Sequence, residues 1–258
     1  MKKKHILIVV IAVLAAAAVG ITSFILYKNY NVQNTAKKYN EAASSYVVNT
    51  TGATDPSKKN LPPNPINFTS LQERNADIFG WVKVPSTQVD YPLLQNEYSD
   101  SFYIDHDLDG NYAFAGSIYM QQCNHKTMLD RVTVLYGHNM ADNSMFASLH
   151  QFEDSAFFEK NKKMTIYLPD KQLDYEIISA FVYDDRHIMN SFDFANDAKY
   201  QEFIDDVLHP RSISANVREG AEVGMDDCLV VLSTCLNAGD GRYLVVGKLT
   251  KETKLQLS

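Results

Sequence analysis

The chain has 258 residues, is 45% hydrophobic and carries a formal net charge of −7; that suits one ordinary domain plus extensions and is the wrong sign for a nucleic-acid-binding face. Its three cysteines, Cys123, Cys228 and Cys235, cannot all pair, and no Cys/His grouping has metal-ligand spacing. A disulfide scaffold, a zinc module and a nucleic-acid binder are therefore not expected, and nothing implies a metal or another cofactor.

"MKKK" leads into "HILIVVIAVLAAAAVGITSFILY", residues 5–27, which contain no Asp, Glu, Lys or Arg. As a helix at about 1.5 Å per residue this segment is roughly 34 Å long, enough to cross a bilayer. A cleaved signal peptide competes for the same residues, but its apolar core usually runs only about 7–15 residues. The segment reads as an uncleaved signal anchor. Lys2, Lys3 and Lys4 keep residues 1–4 inside, making the chain a single-pass membrane protein with the remainder outside the cell.

Residues 28–67 turn polar and read as an extracellular stalk, helical near the membrane and loose around "NLPPNP". "NTT" at Asn49 matches a weak glycosylation pattern. A compact domain is expected over 68–258. "TSLQERNADIFG" predicts an opening helix, with Thr69 and Gln72 as a capping box and Gly80 as its stop.

Eight strand-like runs follow: "GWVKV", "VDYPLL", "GSIYM", "RVTVLYG", "KMTIYL", "LDYEIISAFVY", "CLVVLST" and "RYLVVGKL". They predict a mainly β domain with helices, closed or nearly closed into an antiparallel-rich barrel. "NSMFASLHQFEDSAFFEKN" reads as two short helices. "NDAKYQEFIDDVLH" is a cleaner one, with Tyr200, Phe203, Ile204, Val207 and Leu208 on one stripe and Asn196 as its cap. It falls between the sixth and seventh strands.

In "CLVVLSTC" both alternating faces are largely apolar, so the strand is central. Cys228 sits early among aliphatics and reads as a small buried hydrophobe. Cys235 ends the strand after Ser233 and Thr234, beside the polar loop "LNAGDG", where side chains reach solvent and substrate. A cysteine nucleophile needs a nearby base or cation. Arg242 opens the next strand, and a hairpin-like connection sets it beside Cys235. There a guanidinium favours a thiolate, clamps a substrate carbonyl or stabilises an oxyanion; a surface Arg after a turn is the plainer alternative. Among the seven histidines, His138 in "VTVLYGHNM" follows a buried-looking strand behind a Gly that permits a sharp turn. That makes it the best of several candidates for an oriented imidazole.

"LSTC" at 232–235, "GR" at 241–242 and "LYGHNM" at 135–140 together resemble the signature of sortases, the cysteine transpeptidases of Gram-positive cell surfaces. "GWVKVPSTQVDYPLLQ", "GSIYM", "YGHNMADNSMFASL" and the helix 196–209 resemble class B members in particular. The resemblance implies an eight-stranded sortase-type barrel with an N-terminal helix and a groove at one end. It puts the nucleophile on Cys235, the general acid/base on His138 and the oxyanion-side arginine on Arg242. Ser233, Thr234 and Leu94 would line the substrate groove. Leu236 stands where some class B members carry an acidic residue, and Cys123 matches no family cysteine.

The implied reaction is cleavage, after Thr, of a C-terminal sorting signal of the NPxTN or (S/P)PxTG type on another surface protein. The thioacyl group passes to an amine of the peptidoglycan stem or cross-bridge, or of lipid II. Three alternatives remain open: a secreted cysteine peptidase that hydrolyses, a pilus-polymerising sortase, and a membrane-anchored binding domain with a structural cysteine.

Overall fold

The sequence runs Val- and Ile-rich from "RVTVLYG" to "RYLVVGKL", and these segments meet in one closed sheet. The structure, a computed structural model, describes residues 2–46, 61–237 and 240–257. The strands are β1 (Ile78–Lys83), β2 (Asp90–Leu94), β3 (Ile118–Met120), β4 (Val132–Tyr136), β5 (Lys163–Leu168), β6 (Lys171–Tyr183), β7 (Ala215–Val217), β8 (Leu229–Cys235) and β9 (Arg242–Lys254). Their order is β5-β1-β2-β3-β4-β8-β9-β6, and a further β5–β6 pairing closes the ring at eight strands. β7 lies outside the ring, as a short strand appended to β6. Closure removes the exposed edges that an open sheet offers for aggregation. All the adjacent pairs are antiparallel except β2–β3 and β4–β8.

Alternation along β8 sorts the core into two layers. Val230 and Leu232 point into the barrel with Trp81, Leu93, Leu135, Tyr243 and Val245. Leu229 and Val231 point outward with Val132, Val134, Leu244 and Val246, under a helical cover. That double burial explains why "LVVL" is apolar on both faces. The cover is α5 (Asp197–Leu208), whose Tyr200, Phe203, Ile204 and Val207 are buried. Asn196 caps it, its side chain accepting from the Ala198 and Lys199 backbone N–H groups. Each of these large side chains contributes about 1.5–3 kcal/mol through burial, so α5 is held by packing rather than by propensity. The smaller helices are α3 (Ser155–Lys160), capped by Asp154, and α4 (Ile188–Ser191); a 3₁₀ segment, Ala147–Glu153, precedes α3.

The opening helix differs from its expectation. α2 spans Phe68–Arg74 and is capped by Asn67, whose side chain accepts from Ser70 N–H, rather than by a Thr69–Gln72 box. It stops short of Gly80 because the Asn75 side chain accepts from Asp77 N–H and turns the chain. Ile78 and Phe79 are then claimed by β1, where they are buried.

α1 runs without a break over Lys2–Tyr46. Its first half is long and apolar enough to cross a membrane, by length and composition, as either an anchor or a signal sequence would be. Its second half is no free stalk. Thr35, Tyr39 and Ala42 are buried against the barrel, a stripe at helical spacing. Tyr39 Oη lies 2.7 Å from Ser117 Oγ and donates to the Gly116 carbonyl at 3.0 Å. Lys38 Nζ reaches Asp107 at 2.5 Å and Asp109 at 3.0 Å, and Arg74 Nε meets Asp109 at 2.5 Å. "NLPPNP" is not loose where it is described: Asn64 is buried and donates to the carbonyls of Leu168 and Pro169. Residues 47–60, Asn49 among them, lie outside the described residues.

Candidate active site

Past the end of the α5 cover, the outward row of the barrel loses its hydrophobic lid and becomes a groove. Register fixes who stands there. Tyr119 pairs with Tyr136, Tyr136 with Ser233, and Cys235 with Arg242. Directly paired residues share a face, as do Ser233 and Cys235 two apart on β8, so Tyr119, Tyr136, Ser233, Cys235 and Arg242 lie on one face across β3, β4, β8 and β9. They line a cavity of about 70 Å³ together with Ile104, Gly137, His138 and Thr234.

Arg242 Nη1 donates to Cys235 Sγ at 2.9 Å. The cross-strand pairing of β8 and β9 makes this contact; residues 238–239, between the two strands, lie outside the described residues. Cys235 and Arg242 are both half-buried, so the sulfur is accessible while its cation is partly shielded from water.

His138 enters from the β4 side. Its Nε2 meets the Ile104 carbonyl at 2.6 Å. A carbonyl only accepts, so Nε2 carries a proton and Nδ1 is the nitrogen left for exchange. The Ile104 carbonyl belongs to a 3₁₀ turn, Phe102–Ile104, that Gly116 must approach closely. A Cβ on Gly116 would collide with that carbonyl, and the residue has φ of +57°. Gly137 serves differently from the sharp turn expected of it, since its φ is not positive. A Cβ there would sit 2.5 Å from Ile118 Cδ1 and 2.7 Å from Phe146 Cγ. The missing side chain lets the β4 exit pack against Phe146, whose N–H in turn donates to the His138 carbonyl at 3.0 Å.

Sequence reasoning therefore brought Cys235, His138, Arg242, Ser233 and Thr234 to one cavity. Ser233 and Thr234 are nearly buried there, and Thr234 Oγ1 has no hydrogen-bond partner among the described residues. Leu94 is a correction: it is fully buried in the barrel core and does not line this cavity. Its position in β2 sends the side chain inward instead.

Several groups escaped the sequence reading. Tyr119 and Tyr136 stack at 5.4 Å and form one wall. Burial pushes the Tyr119 phenol up to about 12, against the opposing pull of Arg242, and burial likewise raises Tyr136. Tyr136, directly before Gly137-His138 in an outward register, carried a signal that strand alternation alone could have found. Beneath the groove, His150 Nε2 lies 3.0 Å from the Cys235 carbonyl, and Asn139 Nδ2 donates to the same oxygen at 3.1 Å. Glu153 pairs with His150 Nδ1 at 2.5 Å, and the ring stacks on Tyr243 at 5.0 Å. No local pattern announces this set, because it joins a loop, a 3₁₀ segment and two strands.

The other two thiols are unlike Cys235 in setting. All three cysteines are free. Cys228 donates to the Leu129 carbonyl at 3.3 Å, and burial pushes its thiol up. Cys123 is exposed on a loop; desolvation followed by the nearby Asp100 charge raises its thiol too. Neither has an arginine on its sulfur.

A half-buried sulfur under a guanidinium, an imidazole in the same groove and two neutral phenols suit acyl transfer through a thioester. The comparisons agree. A sortase domain model matches residues 82–250. Sortase B of Staphylococcus aureus is 32% identical over 187 residues, covering 71% of this chain and 75% of that protein. A Staphylococcus aureus sortase B–substrate complex superposes with a TM-score of 0.70 at 28% identity, over 85% of this chain and 97% of that one. A Streptococcus pyogenes class B sortase involved in pilus biogenesis gives a TM-score of 0.60 at 30% identity, over 71% of this chain and 98% of that one.

Proposed function

The chain belongs to the sortase family as a class B-like cysteine transpeptidase, and from that premise we propose that it is a membrane-anchored enzyme that joins surface proteins to a cell-wall amine. Residues 5–27 are the anchor, the N-terminus lies inside, and the barrel domain works on the outer face of the membrane. The substrate is a C-terminal sorting signal of the NPxTN or (S/P)PxTG type. The observation that carries the reading is the Arg242 guanidinium on Cys235 Sγ, in a groove that His138 also lines.

Cys235 is the nucleophile. The Cys235 thiol passes its proton to His138 Nδ1, the sulfur attacks the Thr carbonyl carbon of the signal, and the carbonyl electron pair moves onto oxygen. Arg242, already beside the sulfur, donates to that oxyanion. Collapse breaks the C–N bond, and the doubly protonated His138 ring gives its Nδ1 proton to the departing amine. The product is a thioester between Thr and Cys235. An acceptor amine from the peptidoglycan stem, cross-bridge or lipid II then attacks the thioester carbon. His138 Nδ1 takes its proton and Cys235 leaves as thiolate. Ser233 and Thr234 shape the groove floor, while the stacked Tyr119 and Tyr136 rings form one wall.

The test uses the full chain in detergent with a panel of sorting-signal peptides, each with and without diaminopimelate- or glycine-type amines. The reading expects cleavage after Thr, a transfer product when amine is present, and neither with Cys235→Ala. Cleavage that no amine diverts would make the protein a cysteine peptidase, and equal cleavage by Cys235→Ala would overturn the site. The pilus-associated structural neighbour motivates one further arm, a lysine-bearing acceptor peptide. Preference for that acceptor over wall amines would assign polymerisation instead.

A further inference from the structure

The chain carries aromatic side chains at the level where α1 leaves its apolar segment, and they do not all belong to α1. Phe114, on the loop between the 3₁₀ turn and β3, meets Phe24 and Tyr27 edge-on, each at 6.2 Å between ring centroids. Lys28 Nζ lies 5.8 Å from the same ring. The loop is clamped to the helix at both ends by one side chain: Asn31 Nδ2 donates to the Tyr112 carbonyl at 3.4 Å, and Asn31 Oδ1 accepts from Phe114 N–H at 3.0 Å. Asn31 is about one helical turn past Tyr27, or ~6 Å at ~1.5 Å per residue.

We propose that the 110–114 loop is a second membrane contact, seated in the interfacial zone of the bilayer that α1 enters; this rests on reading residues 5–27 as a membrane anchor. Tyr112 is 49% exposed and Tyr30 is 69% exposed, so both present an amphipathic ring to the surroundings at this level. Tyr rings favour the headgroup zone, where the ring is apolar-side down and the hydroxyl stays wet. Lys28 adds a long aliphatic stem with its charge directed to the same zone. Two of the acidic residues behind the loop, Asp107 and Asp109, are offset by the cations of Lys38 and Arg74, while Asp105 touches the His106 ring.

The contact reaches the groove through short links. Tyr112 bridges to His106, and Ala113 N–H donates to the Asp105 carbonyl at 2.8 Å. His106 stacks on Phe102 at 4.0 Å, in the 3₁₀ turn whose Ile104 carbonyl holds His138 Nε2. A loop seated in the interface therefore fixes the groove wall relative to the bilayer. α1 is already docked on the barrel through Lys38 and Tyr39, so seating the loop as well limits the tilt of this joined unit and defines one face toward the lipid.

The test measures tryptophan quenching in the full chain reconstituted into phosphatidylcholine–phosphatidylglycerol vesicles carrying brominated acyl chains. The native Trp81 is fully buried, so wild-type emission is the unquenched baseline. Leu14→Trp reports the anchor, and Tyr112→Trp and Asn111→Trp report the loop. The proposal expects Leu14→Trp to lose emission most with bromines near the chain end. Both loop variants should lose emission most with bromines near the headgroup. If Leu14→Trp is quenched and neither loop variant is, the second contact is refuted and the anchor stands. If Leu14→Trp is itself unquenched, the anchor reading falls and takes this contact with it.

Discussion

Arg242 offers the sharpest separation between chemistry and folding. Its Nη1 sits 2.9 Å from Cys235 Sγ at the first position of β9, where the side chain is half-buried. Two independent estimates of its worth agree. A unit charge about 4 Å from a developing charge, at an effective dielectric of ~20, is worth about 4 kcal/mol. Loss of one preorganised oxyanion donor in other enzymes costs about 2.7–4 kcal/mol, or roughly 10²–10³ in rate. Arg242→Gln, which keeps length and polarity but no charge, should therefore cut kcat/KM for a sorting-signal peptide by about 10²–10³. Arg242→Lys keeps the charge without the planar fork and should fall between Gln and wild type. Folding should change by less than about 1 kcal/mol, because among the described residues the half-buried guanidinium bonds only the Cys235 sulfur. The assay is steady-state cleavage of a fluorescence-quenched peptide, paired with urea unfolding of the same preparations. An Arg242→Gln enzyme within about threefold of wild type, a difference of only ~0.6 kcal/mol, would refute the reasoning.

Other outcomes follow from the same structure. His150→Ala removes the ring's contact with the Cys235 carbonyl (~1 kcal/mol) and its stacking on Tyr243 (about 0.5–1.5 kcal/mol), so urea unfolding should show a loss of about 1.5–2.5 kcal/mol. His150 acts through the backbone of Cys235, so kcat should fall while KM for the peptide holds; a fall in stability alone would leave it purely structural. Gly137→Ala forces a methyl against Ile118 and Phe146 and should cost about 1–3 kcal/mol, read as a lowered Tm with a displaced His138 and lost activity. Asp109 is held below the ordinary carboxylate range chiefly by Arg74, with Lys38 assisting. A depressed folded value stabilises above the unfolded Asp value near ~4 and is lost as pH falls through the folded one. The acid limb of the stability–pH curve should thus be steeper in wild type than in Asp109→Asn, and equal slopes would contradict the assignment.

The barrel was legible because its eight strands repeat β-branched and aromatic residues between clear turns, and the parallel, doubly buried β4–β8 pair left "LVVL" apolar throughout. Cys235, His138 and Arg242 were legible as strand-end residues, yet only the closed register brings β3, β4, β8 and β9 side by side so that they share one face. Leu94 was misplaced because a strand end looks alike from either face until the barrel interior is known. The opening helix was read too long because the amphipathic spacing of Leu71, Ile78 and Phe79 imitates a helix that the Asn75 turn interrupts. The docked half of α1 was invisible for the opposite reason. Its docked face combines buried Thr35, Tyr39 and Ala42 with half-buried Asn31 and Lys38, and the polar partners of Asn31, Lys38 and Tyr39 lie 69 to 83 positions away. Long-range polar pairing leaves no periodic hydrophobic trace.

If Cys235 carries the thioester, mass spectrometry will find it there and on neither Cys123 nor Cys228. The full chain is quenched in acid during turnover of a sorting-signal peptide, then digested and mapped. A peptidyl adduct is expected on Cys235 alone, absent from Cys235→Ala and discharged by added amine. An adduct on Cys123 or Cys228, or turnover with no adduct on Cys235 under any quench time, would contradict this assignment.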